Sequence, residues 1–453
     1  MTRVSKFIFR LLCGLAVCVV IAIAALVVWR INLAHDVNAK LRALRAAGLP
    51  TSGAELNAYY PAVTDEENAA LRMTEMFKLM RNYSDSRSNE VAAFKFPQRK
   101  EALTSEQGKL LTGYCEMNSN VLARVREAIK LPRSRYPIDL SWGAGTLMPH
   151  LGGLKALSRI AEFQTILDTN NSAVAISTIL GMARTLDTEP TVVSKLVRIA
   201  MLNISEIALE HRLNTGGLDE AELDHLSGLF AEAAKTNQMA NGLIGEQAMF
   251  LQYFRMSYAE IRRLANGNDE SPSSGQAGPP LRGPQPLIFK LTGFFERDLR
   301  FYLSAMETNI SLAETFPKDI VVISNVQDRI SQTSRQNYYI LSSLLLPALG
   351  NSILKEANGL AQVRAAQSAL AVERFRLAHG QLPEDLQELV PQFLSAVPDD
   401  PFDGQSLRYH RLAKGYVVYS IGRDGHDDGG RERPFDAKSS DKTEYDITFT
   451  VER

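Results

Sequence analysis

The chain has 453 residues, of which 45% are hydrophobic and 22% charged. This is ordinary globular composition in a chain too long for one simple core, so two or more domains are expected. The formal net charge of −1 provides no global basic field. With no platform of interleaved basic and aromatic residues either, nucleic-acid binding is set aside.

The first ten residues, MTRVSKFIFR, carry Arg3, Lys6 and Arg10. Leu11 to Trp29 then runs for 19 residues without a charge or a proline. As a helix this run measures about 28 Å, close to the hydrocarbon thickness of a bilayer. The cations before it predict a cytoplasmic N-terminus at 1–10 and a single-pass anchor at 11–29 in the cytoplasmic (inner) membrane. The bulk of the chain is then extracytoplasmic, or periplasmic. No small-residue cleavage pattern follows in VVWRINLAHD, so the span reads as an uncleaved signal anchor. Of the three cysteines, Cys13 and Cys18 lie in the span and only Cys115 lies beyond it. No internal disulfide is possible there, and the fold must be held by its core.

Beyond the anchor the pattern is helical. DVNAKLRALRAAGLP continues the anchor helix and ends it at Gly48 and Pro50. TDEENAALRMTEMFKLM predicts a helix capped by Thr64, with Ala69, Met73, Met76 and Met80 on one face. SEQGKLLTGYCEMNSNVLARVREAIKL predicts one long helix that buries Cys115. From about 147 to 265 the helical spacing is nearly continuous, and LDEAELDHLSGLFAEAA places Leu218, Leu223, Leu226 and Leu229 together. No repeat period emerges. Residues 266–286, NGNDESPSSGQAGPPLRGPQP, read as a flexible linker. Helices resume at LIFKLTGFFERDLRFYLSAMETNISLAE. SSLLLPALG is too short to span a bilayer and is assigned to the core. Residues 353–379 form a long helix ending at Gly380.

The pattern then changes. SLRYHRLA and GYVVYSIG alternate as strands around Gly415, and EYDITFTVE supplies a third. The expected fold class is mainly α. It comprises a transmembrane helix, an irregular multi-helix extracytoplasmic domain at 34–350, and an α+β module at 353–453 in which a long helix packs on a small antiparallel sheet.

Three motifs of that module follow in order. His379, Gly380, Leu382 and Pro383 form a turn after an alanine-rich helix. Asp400, Pro401, Phe402, Gly404 and Tyr409 form a second motif, and Tyr419, Ser420, Gly422, Asp424 and Gly425 a third. Together they resemble the globular part of the major pseudopilin of type II secretion systems, over about 100 of the 453 residues. The processed leader and membrane glutamate typical of that family are not seen. The resemblance therefore implies a pseudopilin-type head on a different, helical, membrane-anchored body. In that family the third motif binds calcium. By resemblance the metal ligands here are Asp424, then Asp427 or Asp428, with the carbonyl of Ile421 as a further ligand and Asp446 matching an acidic residue near the chain end. Crowded carboxylates interleaved with glycine suit a hard cation. The same composition suits a solvated turn, in which Arg423 and Arg431 neutralise the carboxylates. The spacing is not that of an EF-hand.

No catalytic residue is indicated. His35, His150, His211, His225, His379, His410 and His426 show no metal-ligand spacing, and neither a nucleophile elbow nor a phosphate-cradling glycine loop occurs. The expected function is a membrane-anchored extracytoplasmic scaffold or interaction protein with a calcium-stabilised, pseudopilin-like module. Its partners would be envelope or secretion-system proteins, and no small-molecule substrate is legible. The alternatives are a cell-envelope hydrolase or lyase using carboxylates in a groove of the helical domain, and an atypical component of a secretion or pilus-like assembly.

Overall fold

Residues 3–97, 99, 101–235, 238–255, 292–315, 320–434 and 445–453 are described by a computed structural model. The expected linker at 266–286 lies outside the described residues. Helix α1 (Arg3–Ala46) runs unbroken from the apolar span into the body. Its apolar part is wholly exposed, and among the described residues it is the one helix long and apolar enough to cross a membrane. Past Arg30 the character of α1 changes. Leu33, Val37 and Leu41 are buried at successive i, i+4 positions, the spacing that puts them on one helix face. That face packs on helix α12 (Phe294–Glu314). Ion pairs flank the seam: Arg30–Glu296 at 2.7 Å, Asp36–Arg300 at 3.2 Å and Lys40–Glu307 at 3.2 Å. Partner numbers rise together on both helices, so the two run parallel, away from the span. As expected, α1 stops at Gly48, whose φ is +74°. Leu49 N–H bonds Leu44 O and Gly48 N–H bonds Arg45 O, both at 3.0 Å, which satisfies the last carbonyls.

The next helices are α2 (Gly53–Tyr59), α3 (Ala69–Leu79), α4 (Arg87–Ala93), α5 (Ser105–Met117) and α6 (Ser119–Ala128). Two expected boundaries move. Helix α3 starts at Ala69, after an Asn68 cap, rather than at Thr64. Asn68 is buried and pairs with both backbone groups of Arg135, at 2.9 Å each, so a tertiary contact sets the start. The long helix expected around Cys115 is two helices. Asn118 breaks it by accepting Arg81 N–H at 2.9 Å and donating to Arg81 O at 3.0 Å. Cys115 is buried as expected.

Helices α7 (Pro149–Leu167), α8 (Ser172–Arg184), α9 (Val192–Thr215), α10 (Glu220–Lys235) and α11 (Met239–Phe250) complete the first part of the body. In α10, Leu223, Leu226 and Phe230 form the buried stripe. Asp219 and Glu222 exchange backbone bonds at its start, at 2.8 and 3.0 Å, as a capping box.

Helix α13 (Ile320–Gln336) leads back toward the start of α12, and helix α14 (Ile340–His379) then runs for 40 residues. The helix expected from residue 353 thus starts at Ile340 and takes in SSLLLPALG, of which Leu346 and Leu349 are core and Leu344 is exposed. Pro347 and Gly350 both lie inside this helix. A Cβ on Gly350 would lie 1.9 Å from Gln327 Oε1, so glycine here admits α13 rather than ending α14. Helix α14 packs against α9, α10, α12, α13 and the sheet.

The antiparallel sheet, of order β1-β2-β3, comprises β1 (Arg408–Leu412), β2 (Gly415–Ser420) and β3 (Ile447–Glu452). Tyr409 pairs with Val418 and Val418 with Phe449. Tyr416 O–H donates to Ala369 O on α14 at 3.2 Å. One apolar cluster runs from α3 through α10 into α14 and the sheet, so sheet and body share a core. Helix α9 also serves the outer edge of β3. Asn214 Nδ2 donates to Thr450 O at 2.8 Å and its Oδ1 accepts Glu452 N–H at 2.7 Å, while Glu210 accepts Thr450 N–H at 2.7 Å. Side chains of a helix thereby close a strand edge that would otherwise present unpaired backbone.

Candidate functional site

The second and third motifs of the C-terminal unit meet at Asp400. Its buried carboxylate accepts four donors: Arg408 Nη1 at 2.7 Å, Ser420 Oγ at 2.8 Å, Ile421 N–H at 2.9 Å and Phe402 N–H at 3.0 Å. Burial pushes its carboxyl pKa up against those donors. The first motif supplies Pro383 O, which accepts Tyr409 O–H at 3.0 Å. The Asp- and Gly-rich loop then folds over the second face of β2, with Gly430 against Val417 and Tyr419.

That loop does not gather its carboxylates. Asp424 accepts His426 N–H at 3.1 Å, a local turn. Asp427 accepts Tyr419 O–H at 3.1 Å and Gly429 N–H at 2.9 Å. Asp428 is exposed, and its N–H is 3.4 Å from Asp446 Oδ1, while Asp446 Oδ2 accepts Gly430 N–H at 2.7 Å. Ile421 is tied to Asp400 through its own N–H. Among the described residues no group of three or more His, Cys, Asp or Glu is placed to hold a metal ion. As arranged, Asp424 and Asp427 accept donors from within the loop and from Tyr419.

A second polar centre lies in the helical body, where the sequence reading marked nothing. The segment TLDTEPTVVSKLVR, residues 185–198, covers the connection from α8 to α9 and the first turns of α9, and most of its polar side chains are buried. Glu189 is fully buried. It receives the His150 ring through Nε2 at 3.0 Å, the Ser194 hydroxyl, and the Tyr60 hydroxyl at 3.4 Å. His150 stacks on Tyr136, with centroids 4.1 Å apart, and Tyr136 OH lies 2.8 Å from Thr185 Oγ1. An Nε2–H tautomer gives Glu189 a third donor. Lys195 donates to Leu186 O at 2.9 Å and to Asp187 O at 2.7 Å, and burial pushes its pKa down to about 7. Arg198 pairs with Asp187 at 2.6 Å. The available signal was Ser194, Lys195 and Arg198 recurring at helical spacing inside an apolar run, a pattern that places polar groups on a buried face.

Beside this centre lies a cavity of about 460 Å³, lined by Pro61, Val63, Arg133, Ser134, Arg184 and Asp187 among others. Its one carboxylate, Asp187, is already paired with Arg198. A closer carboxylate pair is Glu206 and Glu210, one turn apart on α9. Burial pushes both pKa values up, and the two raise each other's cost of ionising. The remaining histidines are structural or exposed. His211 packs edge-on to Phe96, His379 stacks on Phe375, and His410 bonds Tyr419 OH at 2.8 Å. His35, His225 and His426 are exposed.

No protein-family model, curated protein or solved structure matches the chain.

Proposed function

We propose that the chain is a membrane-anchored, extracytoplasmic scaffold or interaction protein that carries a pseudopilin-like module. The observation that carries this reading is the continuity of α1: an exposed apolar span passes without a break into a helix docked along α12. The span and the folded body are thus one stiff unit, as a scaffold requires. The second and third motifs joined at Asp400, with the first tied to the second through Pro383 and Tyr409, support the likeness to a pseudopilin head, whose partners would be envelope or secretion-system proteins. A reporter fused after Arg453 tests the orientation. One that works only outside the cytoplasm is expected to be active, and one that works only in the cytoplasm silent. The opposite pair of results overturns the topology.

Calcium at the Gly422–Gly430 loop belongs to the same proposal and rests on the resemblance and on the density of carboxylates. Millimolar calcium should raise the Tm of the full chain, and Asp424→Ala should remove the rise. An unchanged Tm sinks the metal and leaves the solvated turn. The hydrolase alternative calls for two carboxylates facing one cleft, and the cavity beside Glu189 presents one.

A further inference from the structure

Among the described residues, the end of the body nearest the span carries exposed apolar side chains. Arg30, the first charge after the span, pairs with Glu296 in the first turn of α12 at 2.7 Å. Two residues further along α12, the buried Asp298 accepts Leu341 N–H at 2.9 Å and Ser342 N–H at 3.2 Å. The α13–α14 turn is therefore held within about one helical turn, ~5 Å, of the level where α1 leaves the span. Tyr339 is drawn in against Phe301, with ring centroids 5.0 Å apart. Tyr338, Ile340 and Leu344 stay out, 77%, 49% and 73% exposed. Phe294 and Phe295 are half-buried at the same end.

The backbone at Tyr338 adds a second observation. Its φ is +56°, at the position after α13 that closes the helix: Tyr338 N–H bonds Arg335 O at 3.2 Å and Tyr339 N–H bonds Ser334 O at 2.9 Å. Glycine takes this position without penalty, whereas a residue with a Cβ costs about 1 kcal/mol. A ring left 77% exposed regains little of that within the chain. Tyrosine beside aliphatic side chains, with the exposed Arg300 and Arg335 nearby, is the composition favoured at the headgroup level of a bilayer. Trp29 closes the span at the same level.

We propose that Tyr338, Ile340 and Leu344, flanked by Phe294 and Phe295, rest in the headgroup region of the leaflet that α1 leaves. This is a second, peripheral membrane contact that fixes the tilt of the body. The bilayer is the occupant because the Arg30–Glu296 and Asp298–Leu341 contacts hold the patch near the level where α1 leaves the span. The inference rests on α1 crossing the membrane, and the test separates the two.

Two variants of the full chain are reconstituted in phosphatidylcholine–phosphatidylglycerol vesicles with and without lipid brominated near the top of the acyl chain. Trp142→Phe leaves Trp29 as the sole tryptophan and reports the anchor. Trp29→Phe with Trp142→Phe and Tyr338→Trp reports the patch. Both tryptophans are expected to emit at shorter wavelength than in water and to lose intensity to the brominated lipid. Quenching of Trp29 alone, with water-like emission from the tryptophan introduced at position 338, overturns the patch and leaves the anchor. Quenching of neither overturns both. A blue shift at position 338 that needs high protein-to-lipid ratio, without quenching, assigns the patch to a second copy and overturns the bilayer contact.

Discussion

Glu246 offers a quantitative handle on the body. It lies on α11, and its Oε1 accepts the N–H of Val192, the first residue of α9, at 3.2 Å. Burial pushes its carboxyl pKa up to about 7, from a usual 4.5, and the Val192 bond offsets only part of that. The folded chain therefore holds this proton about 300-fold more tightly than the unfolded chain, a difference of ~3.4 kcal/mol. The folded pKa is raised, so the stabilisation is fully present below about pH 4.5 and is lost as the pH rises through about 7. Relative to acid conditions the loss is ~1 kcal/mol at pH 5 and ~3 kcal/mol at pH 7. Glu246→Gln keeps an acceptor for Val192 and removes the titration. Its Tm, measured in detergent against the parent chain, should match below pH 4.5 and exceed it progressively to pH 8. At roughly 2 °C per kcal/mol for a long chain, the gap reaches about 6 °C. A variant that is equal to or less stable than the parent at pH 8 would refute the reasoning, because the carboxylate would then be compensated in the fold.

Two further outcomes follow from close contacts. A Cβ at Gly245 would lie 1.7 Å from Pro190 O, so Gly245→Ala should push α11 off the loop before α9 and cost about 3 kcal/mol; an unchanged Tm would show that the loop yields freely. Asn214→Ala should leave Thr450 O and Glu452 N–H without their α9 partner and cost about 2 kcal/mol, with the loss of amide-exchange protection concentrated on β3. Protection lost evenly across the chain would contradict the edge-closing role.

Features that depend on local chemistry were legible in the sequence. The apolar run of α1, its stop at Gly48, the stripe of α10, the end of α14 at Gly380 and the three strands all arise from periodicity or from residues with special backbone freedom. What was hidden depends on distant partners. Asn118 ends α5 because it meets the backbone of Arg81, and Asn68 starts α3 because it meets Arg135. Gly350 resembles a stop in isolation and serves as a contact once Gln327 arrives. The Glu189 centre was missed for the same reason: Thr185, Asp187 and Glu189 look like a solvated connection until α2, α7 and α9 close around them. The acidic loop was found by composition, but composition could not show Asp424 accepting His426 N–H or Asp427 accepting the Tyr419 hydroxyl.

The length of α14 has a mechanical consequence. Forty helical residues extend about 60 Å, with the Asp298-anchored start near the span and the sheet near the other end. Packed along both flanks, this helix is the arm of a lever. A 10° tilt of the base against the membrane plane displaces the distal sheet by roughly 10 Å. Whatever sets the angle at which α1 leaves the bilayer therefore also sets how far from the membrane, and in which direction, the C-terminal surface is presented.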